Sequence, residues 1–397
     1  MKKTLFILFA FFSFPAFSQV DLPSLDSVKM LLTTPSIEMA LTYGVNEMYN
    51  NNFAVAESQF NWLKKNYPTH PMPNFLLGLS NWWKMMPDTD NTKYDFIFLT
   101  YMDSAIYYAQ KIQQKDKSNV EAAFFLSAAY GFKGRLYSER KKWKKAAIAG
   151  KRSLKYLEAC HEKDYLSPEL LFGDGLYNYY SVWIPKNYPA LKPLLVFFRK
   201  GDQKKGIEQL VEVTKEGFYT RVEAQLFLMR IYSLEENQDQ KAFNISQYLH
   251  KTFPNNPYFH RYYARMLYSM GKHAEMKTVS EQILERIENK QFGYEAISGR
   301  YASYYLAYYY NSPRKDRAKA LEYYKKVIEF AEKSKDVQSG YYHAALLKLA
   351  QNAEAKKEYK LAMGYYEKVL DHADKKKTTY KKAKEFKKKY RKNKWGK

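Results

Sequence analysis

Three stretches of this chain repeat one spacing, and that spacing constrains its fold more than any other feature. Gly44, Ala56, Phe60 and Pro68 form the first stretch, Ala264, Met276 and Ser280 the second, and Ala350, Ala362 and Tyr366 the third. In each, a small residue stands twelve positions before a second small or flexible residue, and a further residue follows four later. Small residues let two antiparallel helices press together, and twelve positions carry the chain from one helix around a turn into the next. Recurrence at roughly 34-residue intervals is the signature of stacked helical repeats. The chain is therefore expected to be all-α, an elongated array of antiparallel helix pairs.

The periodic pattern can be followed along most of the sequence. Pro35 is placed to begin a helix, Tyr67-Pro68 ends the first pair, and Pro73 with Gly78 opens the next. Ala105 and Ala109, then Ala129 with Ala147, continue the small-residue slots at longer spacing, as long helices require. Residues 167–218 break the rhythm. Pro185, Pro189 and Pro193 lie four apart, and each removes a backbone donor and crowds the preceding turn, so an irregular crossover is expected within 181–201, with Asp202 capping the helix that follows. Regular spacing returns through Met229, Ala264, Ala307 and Ala350.

The N-terminus reads Met-Lys-Lys, an apolar run from Leu5 to Phe12, Pro15, and Ala16-Phe17-Ser18-Gln19. A charged start, a short apolar core and small residues before a cut describe a secretory signal, with cleavage between Ser18 and Gln19. A membrane anchor is the competing reading, but the run is shorter than the roughly 20 residues a span needs. The mature chain is expected in the periplasm or outside the cell, and not as a transmembrane protein. A single cysteine, Cys160, excludes an intrachain disulfide and suits a small buried apolar role.

The formal charge of +24 is concentrated at one end. Residues 375–397 hold twelve Lys and Arg391 against Glu385 alone, a net +12. Such a block attracts anionic surfaces such as lipid headgroups, acidic glycans or nucleic acid. Export makes nucleic acid the weakest of these, and a solvated terminal helix is the plain alternative. With only Tyr380, Phe386, Tyr390 and Trp395 as large apolar residues from 378 onward, removal of the tail is expected to uncover little core.

Catalytic patterns fail at identifiable positions. Gly201 to Gly206 has the glycine spacing of a phosphate loop, but Ile207-Glu208 stands where Lys and Ser or Thr must follow. Gly173-Asp174-Gly175 begins a dinucleotide fingerprint, yet Asn178 replaces the last glycine. Glu158 and His161 pair a carboxylate with an imidazole on one helix, where a di-iron bundle needs two such pairs and further glutamates. His70, His250, His260, His273, His343 and His372 show no metal-ligand spacing. No enzyme activity, cofactor or metal is expected.

The repeat pattern resembles the tetratricopeptide superfamily over most of the mature chain. More narrowly, the centre is similar to the inclusion-body-clearance family of tetratricopeptide proteins. The residues carrying that likeness are Phe172, Gly173, Gly175, Leu176, Pro185, Gly201, Asp202, Gly206 and Leu210, continued by Ala224 and Pro254-Asn255-Asn256-Pro257-Tyr258. This covers about a quarter of the chain, and the export signal departs from that family. The resemblance implies an α-solenoid of about eight tetratricopeptide-like antiparallel helix pairs, with no catalytic residues to carry over. The expected organisation is a signal peptide (1–18), N-terminal repeats (19–166), an irregular proline-rich crossover (167–218), C-terminal repeats (219–374) and a basic capping helix or tail (375–397).

If Ala264 and Ala307 fill the small-residue slots of their helices, positions three before and one after them face the concave side. Those positions are Arg261 and Arg265 in one repeat and Tyr304 and Tyr308 in the next. Tyr268 and Tyr301 extend the strip, and Arg230 is equivalent in the repeat before. Arginine beside tyrosine is a favoured pairing in binding hot spots, although packing of the helices onto each other accounts for tyrosines equally well. The leading expectation is an exported, non-enzymatic scaffold whose groove holds a protein or peptide partner. The alternatives are a glycan- or envelope-binding protein using exposed tyrosines and the basic tail, and an all-helical carbohydrate-active enzyme, for which no carboxylate pair is found. N-terminal sequencing of native material should return Gln19 as the first residue; recovery of Met1 would remove the export reading.

Overall fold

The structure is a computed structural model and describes residues 30–189, 199–312, 316–393 and 395; the proposed signal segment lies outside them. Seventeen α-helices are present among the described residues, and no strand. They run as eight pairs. The first four are α1 (Pro35–Tyr49) with α2 (Phe53–Asn66), α3 (Pro71–Met85) with α4 (Asp95–Lys115), α5 (Val120–Glu139) with α6 (Trp143–Cys160), and α7 (Glu169–Asn187) with α8 (Gln203–Glu216). The last four are α9 (Arg221–Leu234) with α10 (Asp239–Thr252), α11 (Pro257–Ser269) with α12 (His273–Glu288), α13 (Ala296–Tyr310) with α14 (Arg317–Lys333), and α15 (Gly340–Ala355) with α16 (Tyr359–His372). A single helix, α17 (Thr378–Lys392), ends the array. Each helix packs on the next, and odd-numbered helices also pack on one another: α1 on α3, α3 on α5, α5 on α7, α11 on α13, α13 on α15 and α15 on α17. The odd helices thus form an inner layer and the even helices an outer one.

Local chemistry sets these boundaries. Proline occupies the first turn of α1, α3 and α11, where its missing N–H costs nothing. Side-chain oxygens of Asn119, Asp202, Asn256 and Asp316 accept the otherwise orphaned N–H groups of α5, α8, α11 and α14. The turns inside pairs share one device. Asn51, Lys141, Asn237, Gly271 and Lys357 each adopt positive φ after the inner helix. In four of these turns the next residue donates to the carbonyl five back: Asn52 to Glu47, Lys142 to Tyr137, Lys272 to Leu267 and Glu358 to Ala353, all at 2.8–2.9 Å. This left-handed closure satisfies helix-end carbonyls and fixes the angle at which the outer helix returns.

Small residues then allow the close approach. Ala56, Ala264, Met276, Ser280, Ala350 and Ala362 are completely buried. Between α7 and α8 the need is absolute, because a Cβ on Gly206 would lie 2.6 Å from the Tyr179 nitrogen and 2.7 Å from the Gly175 carbonyl oxygen. The 167–218 stretch therefore contains a regular pair: α7 runs on through Pro185 near its C-terminal end, and Asp202 caps α8 at 2.9 and 3.1 Å. Of the expected irregular span, residues 190–198 lie outside the described residues.

The array is not elongated in its first two thirds. The inner helices of the first two pairs curl onto those of the fifth to seventh. Asn256 Nδ2 donates to the Tyr49 carbonyl at 2.7 Å, and the Asn255 N–H donates to Asn50 Oδ1 at 3.0 Å. Trp83 Nε1 donates to Glu223 Oε1 at 2.8 Å. Tyr49, Trp83, Phe253 and Phe259 interlock with ring centroids 5.1–5.9 Å apart. Contacts between residues about 140–210 apart in sequence therefore turn an open superhelix into a closed one. One apolar core runs from Met30 to Tyr305, and a second from Ala307 to Phe386.

The C-terminal tail also departs from expectation. In α17, Ala383 and Phe386 are buried, Phe386 lies 4.5 Å from the Tyr366 ring, and Trp395 stacks at 3.9 Å on Tyr359. Ala383, Phe386 and Tyr390 fall on one helical face, so the lysines form the solvated side of a packed cap. Truncation after Lys377 is thus expected to expose the last pair and destabilise it. Phe386→Ala should lower unfolding free energy by about 3–5 kcal/mol if the transition remains cooperative, measured by denaturant unfolding; an unchanged midpoint would show that the helix is not part of the core.

Candidate interaction strip

The inner faces of α9, α11, α13 and α15 bring the sequence-derived residues together. Arg261, Arg265 and Tyr268 lie four and seven positions apart on α11, and Tyr301, Tyr304 and Tyr308 three and seven apart on α13, so each set occupies one helix face. Tyr268 packs against Tyr304 and Tyr308 with centroids at 6.2 and 4.9 Å. It also stacks on Tyr305 at 5.1 Å. Tyr301 meets Tyr341 of α15 edge-on at 5.2 Å, and Tyr304 stacks on the same ring at 4.3 Å. Tyr308 is 40% exposed and stands at the open edge.

The arginines divide into two kinds. Arg261 is committed to the fold: Nη1 donates to the Pro87 carbonyl at 3.1 Å and to Ser298 Oγ at 3.2 Å, and the guanidinium lies over Tyr258 and Tyr301. Burial pulls its pKa down, with the two phenols opposing. Arg265 lies over the Tyr262 ring at 5.5 Å, and Arg230 is half-buried nearby on α9. Among the described residues neither Arg230 nor Arg265 has a carboxylate within 4.0 Å. Burial raises the phenol pKa of Tyr268, Tyr304 and Tyr341, so these rings keep their protons and act as hydrogen-bond donors. The strip offers flat apolar contact, phenolic donors and two cations free to take an anionic partner.

Sequence spacing did not single out Tyr258, Tyr262, Tyr305 or Tyr341. Tyr305 and Tyr341 hydroxyls lie 3.1 Å apart, and Tyr262 bonds to Ser233. Tyr341 falls nine positions before Ala350, outside the three-before, one-after rule, because a ring as long as tyrosine reaches across to the neighbouring helix.

The catalytic near-misses resolve into packing. The Gly201 Cβ position lies 2.7 Å from the Asn178 carbonyl oxygen, so the glycines of 201–206 serve close helix contact. His161 Nδ1 lies 2.9 Å from Asp174 Oδ2, and Arg199 bridges Asp174 and Glu158, an ion cluster joining α6, α7 and the start of the α8 segment. Burial pushes the Cys160 thiol up to about 12, with Asp174 adding to the shift, which leaves it almost wholly protonated near neutrality. Among the described residues no three of His, Cys, Asp and Glu converge as a metal-binding set, and no helix is long and apolar enough to cross a membrane.

The architecture is that of an all-α repeat solenoid of antiparallel helix pairs. The chain matches no family model and no curated protein. Among solved structures it is similar to the tetratricopeptide-repeat domain of P58(IPK), with 15% identity, 89% of this chain and 98% of that chain covered, and a TM-score of 0.23. An overlap at that score adds nothing to what the helix order already defines.

The two kinds of arginine should separate in stability. Arg261→Met is expected to cost about 1–3 kcal/mol, since it strands the Pro87 carbonyl. Arg265→Met should stay within about 0.5 kcal/mol. Equal costs in denaturant unfolding would mean that Arg265 is also structural.

Proposed function

We propose that this chain is an exported, non-enzymatic scaffold whose tyrosine–arginine strip holds an extended, acidic segment of another protein. The observation carrying the reading is the juxtaposition of Arg230 and Arg265, unpaired among the described residues, with the ring faces of Tyr262, Tyr268, Tyr304 and Tyr308 on one inner surface. Guanidinium groups take carboxylates in paired hydrogen bonds, and rigid tyrosines supply contact area at little cost in side-chain entropy. The closed seam supports the rest: with α3 already docked on α11 and on the start of α9, the inner surface left for a partner runs from the C-terminal half of α9 to α15.

Export rests on the charged start, the apolar run and the small residues before Gln19, and it places the partner in the cell envelope or outside the cell. The narrower likeness of the centre to the inclusion-body-clearance family belongs to the same proposal and adds no residue to the site. The lysine face of α17 adds a long-range attraction to anionic envelope surfaces, within a screening length of about 10 Å at 0.1 M salt. The test is affinity capture from envelope extract with wild-type protein and with Arg230→Met/Arg265→Met/Tyr304→Ala, each read by mass spectrometry. A partner retained by the wild type should fall at least tenfold on the variant. Identical capture by the two proteins, with both folded by circular dichroism, would overturn the strip as the binding surface.

A further inference from the structure

A second feature of the inner layer is independent of the strip. Between α3, α5, α6, α7 and α9 lies a cavity of about 560 Å³, within the range of roughly 300–1,000 Å³ typical of small-molecule sites. Its wall is almost wholly hydrocarbon and aromatic, with Phe75, Phe132, Leu154, Leu176 and Phe227 contributed by the five helices in turn. One basic and one acidic side chain line it, Arg135 and Glu223. Gly131 is exposed, and Phe132, Arg135 and Ile184 are half-buried, so the mouth opens on the side where Arg135 stands.

Neither polar group is satisfied. The Arg135 guanidinium lies 4.5 Å from the Trp82 ring centroid and 5.7 Å from that of Phe227. Its one hydrogen-bond acceptor is the Met86 sulfur at 3.9 Å, and among the described residues no carboxylate reaches it within 4.0 Å. Glu223 is 2% exposed; Oε1 accepts from Trp83, while Oε2 is buried without a partner. Burial raises the Glu223 carboxyl pKa, with Arg135 and the Trp83 hydrogen bond opposing. The geometry leaves Oε2 without a donor and the guanidinium without an anion at ion-pair distance among the described residues. A buried cation without an anion is costly unless something pairs with it.

We propose that this cavity binds a single-chain anionic amphiphile, a long-chain fatty acid, whose carboxylate is held by Arg135 while its hydrocarbon chain lies along the apolar wall. The carboxylate takes the guanidinium N–H donors. The alkyl chain fits the wall because removing each methylene from water against apolar side chains is favourable. A cationic amphiphile meets the like charge of Arg135, and a neutral alcohol leaves the guanidinium without its anion.

The experiment uses the full-length purified protein and cis-parinaric acid, whose fluorescence rises on entering an apolar site, with palmitate, 1-hexadecanol and hexadecylamine as competitors. Saturable binding at one site per chain is expected, with palmitate competing at least tenfold better than the alcohol or the amine. Arg135→Met should weaken palmitate at least tenfold and bring it level with the alcohol, its fold checked by circular dichroism. The wild-type headgroup ranking stands as a test even if that variant fails to fold. Absence of saturable binding, a preference for the amine or equal competition by all three would overturn the proposal. So would a folded Arg135→Met protein that binds palmitate as the wild type does.

Discussion

Glu223 sits where the two ends of the inner layer meet, a carboxylate 2% exposed whose Oε1 accepts the indole N–H of Trp83 from 140 residues earlier. A polar group is seldom left at such depth without a reason, because its desolvation must be offset by specific partners. Here it lies at a seam. Trp83 is completely buried against Tyr49 and Phe259, Asn256 fastens the Tyr49 carbonyl, and Arg261 fastens that of Pro87. The same arginine joins the seam to α13 through Ser298. With the seam closed, the inner surface divides into three parts: a sealed contact, an apolar cavity on the side of α5 to α7, and a tyrosine strip on the side of α11 to α15.

Closure has a mechanical consequence. In an open solenoid each repeat touches only its neighbours, so curvature can breathe and stability approximates a sum over repeats. Ties between α1–α3 and α9–α13 convert the first six pairs into one cooperative body, and the single apolar core from Met30 to Tyr305 expresses the same fact. The last two pairs and α17 remain solenoid-like on a core of their own. The Tyr301, Tyr304 and Tyr341 cluster lies across that junction, so a partner held there would touch both the rigid body and its extension.

What the sequence reveals and what it hides follow from the range of each interaction. Ala264, Met276 and Ser280 are legible because helix pairing is a contact between residues about twelve apart, and the small-residue requirement repeats. Asp202 is legible because capping is local, with both bonds inside three residues. The seam is illegible for the opposite reason: Trp83, Glu223 and Asn256 are single residues without periodicity, and nothing near Trp83 in sequence announces Glu223. The strip falls between these cases. Register from Ala264 and Ala307 places Arg265 and Tyr304 on the inner face, but the assignment of Arg261 to the seam depends on the distant Pro87 carbonyl. Phe386 was legible in principle, since Ala383, Phe386 and Tyr390 are three and four apart, but the thirteen basic residues of 375–397 obscure so narrow a stripe.

The aromatic load is sorted by what each ring can do with its edge. Phenylalanine and tryptophan lack an acceptor, and several of them fill places where water is excluded on every side: Trp82, Trp83, Phe98, Phe125 and Phe259 are at most 1% exposed. Tyrosine carries a hydroxyl that must find a partner when buried, and the chain has 38 tyrosines to 25 phenylalanines. Between the inner and outer layers these hydroxyls are spent on carboxylates of neighbouring helices, as Tyr263 on Glu275, Tyr342 on Glu332 and Tyr366 on Glu354. Along the inner strip hydroxyls meet one another or a serine, as Tyr305 with Tyr341 and Tyr262 with Ser233. A surface built this way stays partly wet and rich in donors, with Arg230 and Arg265 free of any carboxylate within 4.0 Å among the described residues. Acceptors are what it lacks, and an acidic peptide backbone carries them at every residue.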